Sequence, residues 1–257
     1  MAAALWLLFP GAASAAQASC LQCHRPHYQE RGSCVSCHRG DDRSDRLRIA
    51  HHDLIPARFV WFRIAGAAPV RRGEKLMEVF ACRRCHTSGG KGNRLASNLD
   101  RLPAGTTPQE IFDAIKSPAQ LMPDFRLDDR QLADLVNAIL AGAGKSGRAG
   151  KQSPQVVHFE AGRRDPDNIF AKQCGPCHKM LTLRLGGVGK GDVGPNLSGL
   201  FSKFYPPAAE GNRRWNAALL GKWLKNPREM RKNSQMRPVP LDKREFDRLL
   251  AVFAETP

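Results

Sequence analysis

The residues of this chain that could do chemistry are first of all its cysteines. All eight stand in Cys-x-x-Cys pairs, at 20/23, 34/37, 82/85 and 174/177, and each pair is followed at once by a histidine: His24, His38, His86 and His178. With 8 histidines in 257 residues, four such followers would arise by chance on the order of one time in a million. Cys-x-x-Cys-His is the attachment signature of c-type haem. The two thiols form thioethers with the porphyrin vinyls, and the histidine is placed under the iron as its proximal ligand. Four motifs imply four covalently bound haem c groups, held by Cys20, Cys23, Cys34, Cys37, Cys82, Cys85, Cys174 and Cys177. A zinc ribbon would combine two of the pairs but needs no histidine after either. A thioredoxin-like redox pair would sit near a βαβ pattern, which this sequence lacks. Disulfide staples are the remaining alternative.

The N-terminus points to a compartment. Residues 1–16, "MAAALWLLFPGAASAA", are an apolar run ending in small residues, with Ala-Ser-Ala at 13–15. This reads as a secretory signal peptide over 1–15, although no Lys or Arg precedes the apolar core. The run is short for a membrane span, which takes about 20 residues, and no other stretch could cross a bilayer. The expectation is an exported, periplasmic protein without a transmembrane segment after signal cleavage.

The elements that must position the motifs fall into three modules. Residues 16–69 hold two motifs in a short, His-rich stretch with too little apolar side chain for an ordinary core. Pro26, Gly32 and Gly40 punctuate it, so loops and short helices are expected. The strip "LIPARFVWFRIAG" then covers the haems or docks on the next module. Residues 70–142 hold the third motif. Leu76, Val79 and Phe80 lie at i, i+3, i+4 on a helix leading into it. Thr107 before Pro108 reads as a helix cap. Leu132, Leu135, Val136 and Ile139 give the apolar face of a closing helix. Residues 143–156 are Gly-, Ser- and Lys-rich without periodicity and read as a linker. Residues 157–257 repeat the plan: an entry helix, the fourth motif, a middle helix, and a closing helix with Phe246, Leu249, Leu250 and Phe253 at i, i+3, i+4, i+7. The fold class is mainly α, a dihaem module with little regular structure followed by two all-α domains.

On these residues the two later modules resemble class I cytochrome c domains. The resemblance implies a methionine before the closing helix as second axial ligand, matching Met122 in "LMPDF" and Met236 in "SQMRPVPL". The family's Gly-Pro-x-Leu loop, whose proline carbonyl supports the proximal histidine, matches Gly194, Pro195 and Leu197. The third motif departs here, because "KGNRLASNLDRL" has no proline at the equivalent place. Residues 16–69 resemble small bis-His multihaem modules. The whole chain is similar to cytochrome c subunits that accompany quinol-oxidising membrane complexes in respiring bacteria.

With methionine serving two haems, the N-terminal pair needs distal histidines. His27, His51 and His52 lie in that module, and His158 at the linker edge reads as a surface residue. His27 is three residues past His24, so it more easily reaches the neighbouring haem. The pairing read here is His27 with the His38 haem and His51 with the His24 haem. The swapped pairing stays open, as does His52 in place of His51. Met77 and Met180 read as packing residues, and Met230 competes with Met236.

Such ligands imply two lower-potential haems ahead of two higher-potential ones, since methionine opposite histidine raises the potential. The expected function is electron transfer from a low-potential donor, a quinol-oxidising membrane complex by resemblance, through the bis-His haems to the His/Met haems and on to a redox partner. The alternative is a multihaem enzyme such as a peroxidase, which needs an open iron. A cysteine-ligated enzyme is disfavoured because no cysteine is left over. Lys+Arg number 40 against 24 Asp+Glu, a formal charge of +16. That charge reads either as steering docking to acidic redox proteins or an anionic membrane surface, or as a plain, well-solvated basic surface. No nucleic-acid motif accompanies it. The linker predicts that the last domain moves as a shuttle.

Overall fold

The structure, a computed structural model, describes residues 19–119, 121–145, 167–208 and 212–254. The signal peptide read at 1–15, His158 and linker residues 146–156 lie outside them. The chain divides into two compact units, Met1–Val60 and Trp61–Pro257.

The first unit is built of short pieces, as its composition predicts. Single 3-10 turns at Ser19–Gln22 and Gln29–Arg31 precede α1 (Cys34–His38) and α2 (Leu47–Ala50). Backbone bonds stand in for a core here. The amide of Asp41 donates to the Ala50 carbonyl at 3.0 Å, and that of Ile55 to the His38 carbonyl at 2.7 Å. Gly40 makes the turn possible: its φ is +81°, and a Cβ there would lie 2.3 Å from the Ala50 oxygen.

The second unit begins at residue 61, earlier than the 69/70 boundary read from the sequence. The apolar strip supplies the reason. The amide of Phe62 donates to Asn137 Oδ1 at 3.0 Å, and Asn137 is fully buried. Asn137 stands on α5 (Asp129–Lys145), which with α3 (Ala68–Val79) and α4 (Pro108–Lys116) makes the first helical module of this unit. Helix α5 runs through Lys145, so its final turn occupies the first residues read as linker. Leu132, Leu135, Val136 and Ile139 are all buried, the face their spacing predicts. Thr107 caps α4 in a reciprocal box: Glu110 N–H donates to Thr107 Oγ1 at 3.2 Å, and Thr107 N–H to Glu110 Oε2 at 2.7 Å.

Helix α3 differs from its sequence reading. It buries Val70, Gly73 and Met77, whereas Val79 is 63% exposed. The close crossing of α3 and α5 decides this. A Cβ on Gly73 would stand 2.0 Å from the Asp134 carbonyl oxygen, so the side of α3 that carries Gly73, with Val70 and Met77, faces α5. Beside it, Arg72 holds Asp134 through two bonds of 2.6 and 2.7 Å. The fork geometry suits the guanidinium and leaves the buried carboxylate paired.

The last module contains α6 (Ile169–Gln173), β1 (Met180–Thr182), β2 (Gly186–Val188), α7 (Ala217–Lys225), α8 (Pro227–Met230) and α9 (Lys243–Ala254). The antiparallel β1–β2 hairpin corrects the all-α expectation. It forms because Gly186 takes a positive φ, while Met180, Leu181 and Val188 bury apolar side chains. Phe170 on α6 meets Phe253 on α9 edge-on at 5.8 Å. Around them pack Met180, Leu200, Leu220, Leu224 and Leu249. Phe246 and Leu250 pack on this cluster's flank, so the α9 periodicity reads out as core.

Candidate functional site

The motif spacing is a helical one. Positions i, i+3 and i+4 lie side by side on one turn, so Cys-x-x-Cys-His puts two sulfurs and one imidazole on one face. The structure folds every motif that way. The second motif is α1 itself. In the other three, the histidine amide donates back to the first cysteine's carbonyl: His24 to Cys20 at 2.9 Å, His86 to Cys82 at 3.0 Å and His178 to Cys174 at 2.8 Å. No two of the eight cysteines are joined in a disulfide. Burial pushes the Cys82 and Cys174 thiols up to about 11. A sulfur in such surroundings resists ionisation, and a neutral thioether carries no charge to desolvate.

In the first unit the structure brings four histidines together in two pairs. The rings of His24 and His51 are 6.1 Å apart, centre to centre. Those of His27 and His38 are 5.8 Å apart and nearly parallel, with 19° between planes. An imidazole nitrogen sits about 2 Å from a first-row metal, so two rings sharing one metal have centres roughly 6 Å apart. Both pairs have that spacing. His52 stands outside them, exposed and 3.5 Å from the Asp53 carboxylate. Among the described residues no three His, Cys, Asp or Glu side chains converge on a metal position. Two rings per pair is the arrangement found.

Three proximal rings are held by backbone carbonyls. His38 Nδ1 contacts the Ile55 oxygen at 3.1 Å, His86 the Ser97 oxygen at 2.8 Å, and His178 the Pro195 oxygen at 2.8 Å. A carbonyl only accepts, so the proton sits on Nδ1 and Nε2 keeps its lone pair for a metal. Burial holds the His86 imidazole below the usual histidine value, against the opposing pull of the Ser97 bond. The neutral ring is the ligating form. Ser97 thus does for His86 what Pro195 does for His178, and the missing proline of the third motif is no gap. The carbonyls of Ser97 and Ile55 gave no sequence signal, because every residue type carries one. Gly194 is required where it stands: a Cβ there would lie 2.2 Å from Cε1 of His178.

The methionines separate by environment. Met77 and Met180 are buried in packing, and Met77 Sδ accepts from Ser88 Oγ at 3.8 Å. Met230 is buried beside Ala208 and Leu219. Met236 is half-buried before α9, and its Sδ accepts the Trp223 indole N–H at 3.0 Å. Met122 is half-buried in the loop before α5. Trp223 is a residue that sequence reasoning missed.

Residues 68–137 match the family model described as cytochrome C oxidase, cbb3-type, subunit III. This part of the chain is a c-type cytochrome domain. No curated protein and no solved structure matched the chain. The matched span begins at the first residue of α3 and reaches into α5, so it encloses Cys82, Cys85, His86 and Met122. A c-type cytochrome domain implies covalently bound haem c and points to electron transfer. The residues fit such a group: two sulfurs and a neutral imidazole on one turn, with Nε2 left to ligate.

A hydrogen bond into a ligand sulfur withdraws electron density and favours the reduced metal. If Met236 is the ligand, removing the indole donor with Trp223→Phe is expected to lower the midpoint potential of that site by about 20–60 mV, the equivalent of a hydrogen bond of about 0.5–1.5 kcal/mol. Potentiometric titration of the full chain checks this. An unchanged potential would mean that the donor does not act on the ligating sulfur.

Proposed function

We propose that the chain is an exported tetrahaem c-type cytochrome that carries electrons. In this reading they enter at a bis-His pair in the first unit and leave through two His/Met modules. Haem bound at each motif would supply an iron that takes up and gives up one electron. The chain's residues provide attachment, ligand identity and burial. Cys20/Cys23, Cys34/Cys37, Cys82/Cys85 and Cys174/Cys177 would hold the four groups. His24 with His51, His38 with His27, His86 with Met122, and His178 with Met236 would ligate them. Methionine opposite histidine raises a site's potential, which sets the order of travel.

The observation that carries this reading is the pairing of His24 with His51 and of His27 with His38 at the spacing a shared metal requires. A site closed on both faces has no position for a substrate. That supports a carrier over a peroxidase-like enzyme. The charge of +16, less what carboxylates of the bound groups neutralise, would steer acidic redox proteins or a quinol-oxidising membrane complex to the surface. The apolar N-terminal run supports export to the periplasm. No helix among the described residues is long and apolar enough to cross a membrane.

The test is a haem count on the purified chain and absorption spectra, oxidised and reduced, with carbon monoxide added. Four haems and no carbon monoxide response are expected. A clear shift with carbon monoxide would mean an open iron and would replace the carrier reading with the enzyme one.

A further inference from the structure

Arg84, inside the third motif, is only 9% exposed. A buried cation is costly unless it is held by hydrogen bonds or a counter-charge. Among the described residues no carboxylate pairs with it. Its partners come from the last module instead. Arg84 Nη1 donates to the Asn196 carbonyl at 2.9 Å, and the guanidinium carbon lies 5.4 Å from the centre of the Tyr205 ring. Tyr205 Oη donates to the same Asn196 carbonyl at 3.2 Å.

Asn196 follows Pro195, the residue that holds His178. Its side chain turns back to the first helical module: Nδ2 donates to the Leu121 carbonyl at 2.9 Å, next to Met122. Ser198, fully buried, donates to Asn196 Oδ1 at 2.6 Å and accepts from the Leu181 amide at 2.8 Å. Gly199 lets the two loops close. A Cβ there would lie 2.7 Å from both the Arg84 oxygen and Asn93 Nδ2.

One short loop, 195–199, therefore touches Arg84 of the third motif, the segment beside Met122, and the support of His178. We propose that Arg84, Asn196 and Ser198 are positioning residues that lock the third and fourth haem sites into a fixed electron-transfer pair. They take the place of the swinging last domain that the linker suggested. One electron leaves the iron of one site and enters the other, with no proton moved and no outside reagent. The proposal rests on the electron-carrier reading for its purpose, but its geometry is independent of that reading.

The test uses the full haem-loaded chain with nitroxide labels at Lys75→Cys on α3 and Leu183→Cys in the hairpin turn. A single narrow label-to-label distance is expected. Arg84→Met should broaden it, and Arg84→Lys should restore part of the order. Ser198→Ala, a gentler change, should loosen the pair without unfolding it. Flash-reduced Arg84→Met should equilibrate its third and fourth sites at least about tenfold more slowly, while the absorption bands of all sites stay unchanged. A broad distance in the unmutated chain, or a narrow distance and unchanged rate in both Arg84→Met and Ser198→Ala, would overturn the junction. A carbon monoxide response or a missing haem would overturn the carrier reading alone, since the label distance reads the junction without any redox step.

Discussion

Replacing His51 with alanine is expected to open one iron to carbon monoxide, and replacing His52 with alanine is expected not to. The two histidines are sequence neighbours, and their contacts separate them. His51 faces the His24 ring at 6.1 Å, whereas the His52 side chain is 79% exposed and reaches only Asp53. In His51→Ala the site on Cys20 and Cys23 keeps His24 and loses the ring opposite. About one carbon monoxide per chain should then bind to the reduced protein, read from the absorption shift. His52→Ala should leave the spectrum as it was. His27→Ala should open the His38 site in the same way, since the His27 and His38 rings lie 5.8 Å apart, centre to centre. A carbon monoxide response in His52→Ala together with silence in His51→Ala would reverse the assignment. Both variants change exposed or half-exposed positions in a unit with little apolar core, so each should remain folded.

Met236→Ala and Met230→Ala should part in the opposite senses. Met230 is buried among Ala208 and Leu219. Truncating it leaves a cavity and is expected to cost about 2–5 kcal/mol of stability, with the spectrum of the fourth site unchanged. Met236 is half-buried, lies just before α9 and takes the Trp223 N–H on its sulfur. Truncating it should change the spectrum and lower the potential of the fourth site, with a smaller loss of stability. Denaturant unfolding and redox titration of the two variants, side by side, make the comparison. A spectral change in Met230→Ala with none in Met236→Ala would assign the ligand to Met230 instead.

What this sequence determined by itself is whatever depends on neighbours within one or two helical turns. The four Cys-x-x-Cys-His runs set both sulfurs and an imidazole on one face, because i, i+3 and i+4 share a face in any helical turn. The buried sides of α5 and α9 follow from the same periodicity, and the Thr107–Pro108–Glu110 cap from chemistry three residues wide. The low apolar content of residues 16–69 already meant that regular structure there would be scarce. The face of α3 was misread because Gly73, between Val70 and Met77, does not register as apolar, and only the 2.0 Å approach to Asp134 makes its side the packing side.

Tertiary structure alone decided the matters that join distant parts of the chain. Among three candidate histidines it set His51 against His24 and His27 against His38. It gave His86 a serine carbonyl in place of a proline carbonyl, a role that carries no side-chain signature. It joined Arg84 to Asn196 across 112 positions, a contact between the two helical modules made by a buried cation. Local pattern cannot show this, because the free energy of a buried charge is set by the groups that surround it after folding and not by its neighbours along the chain.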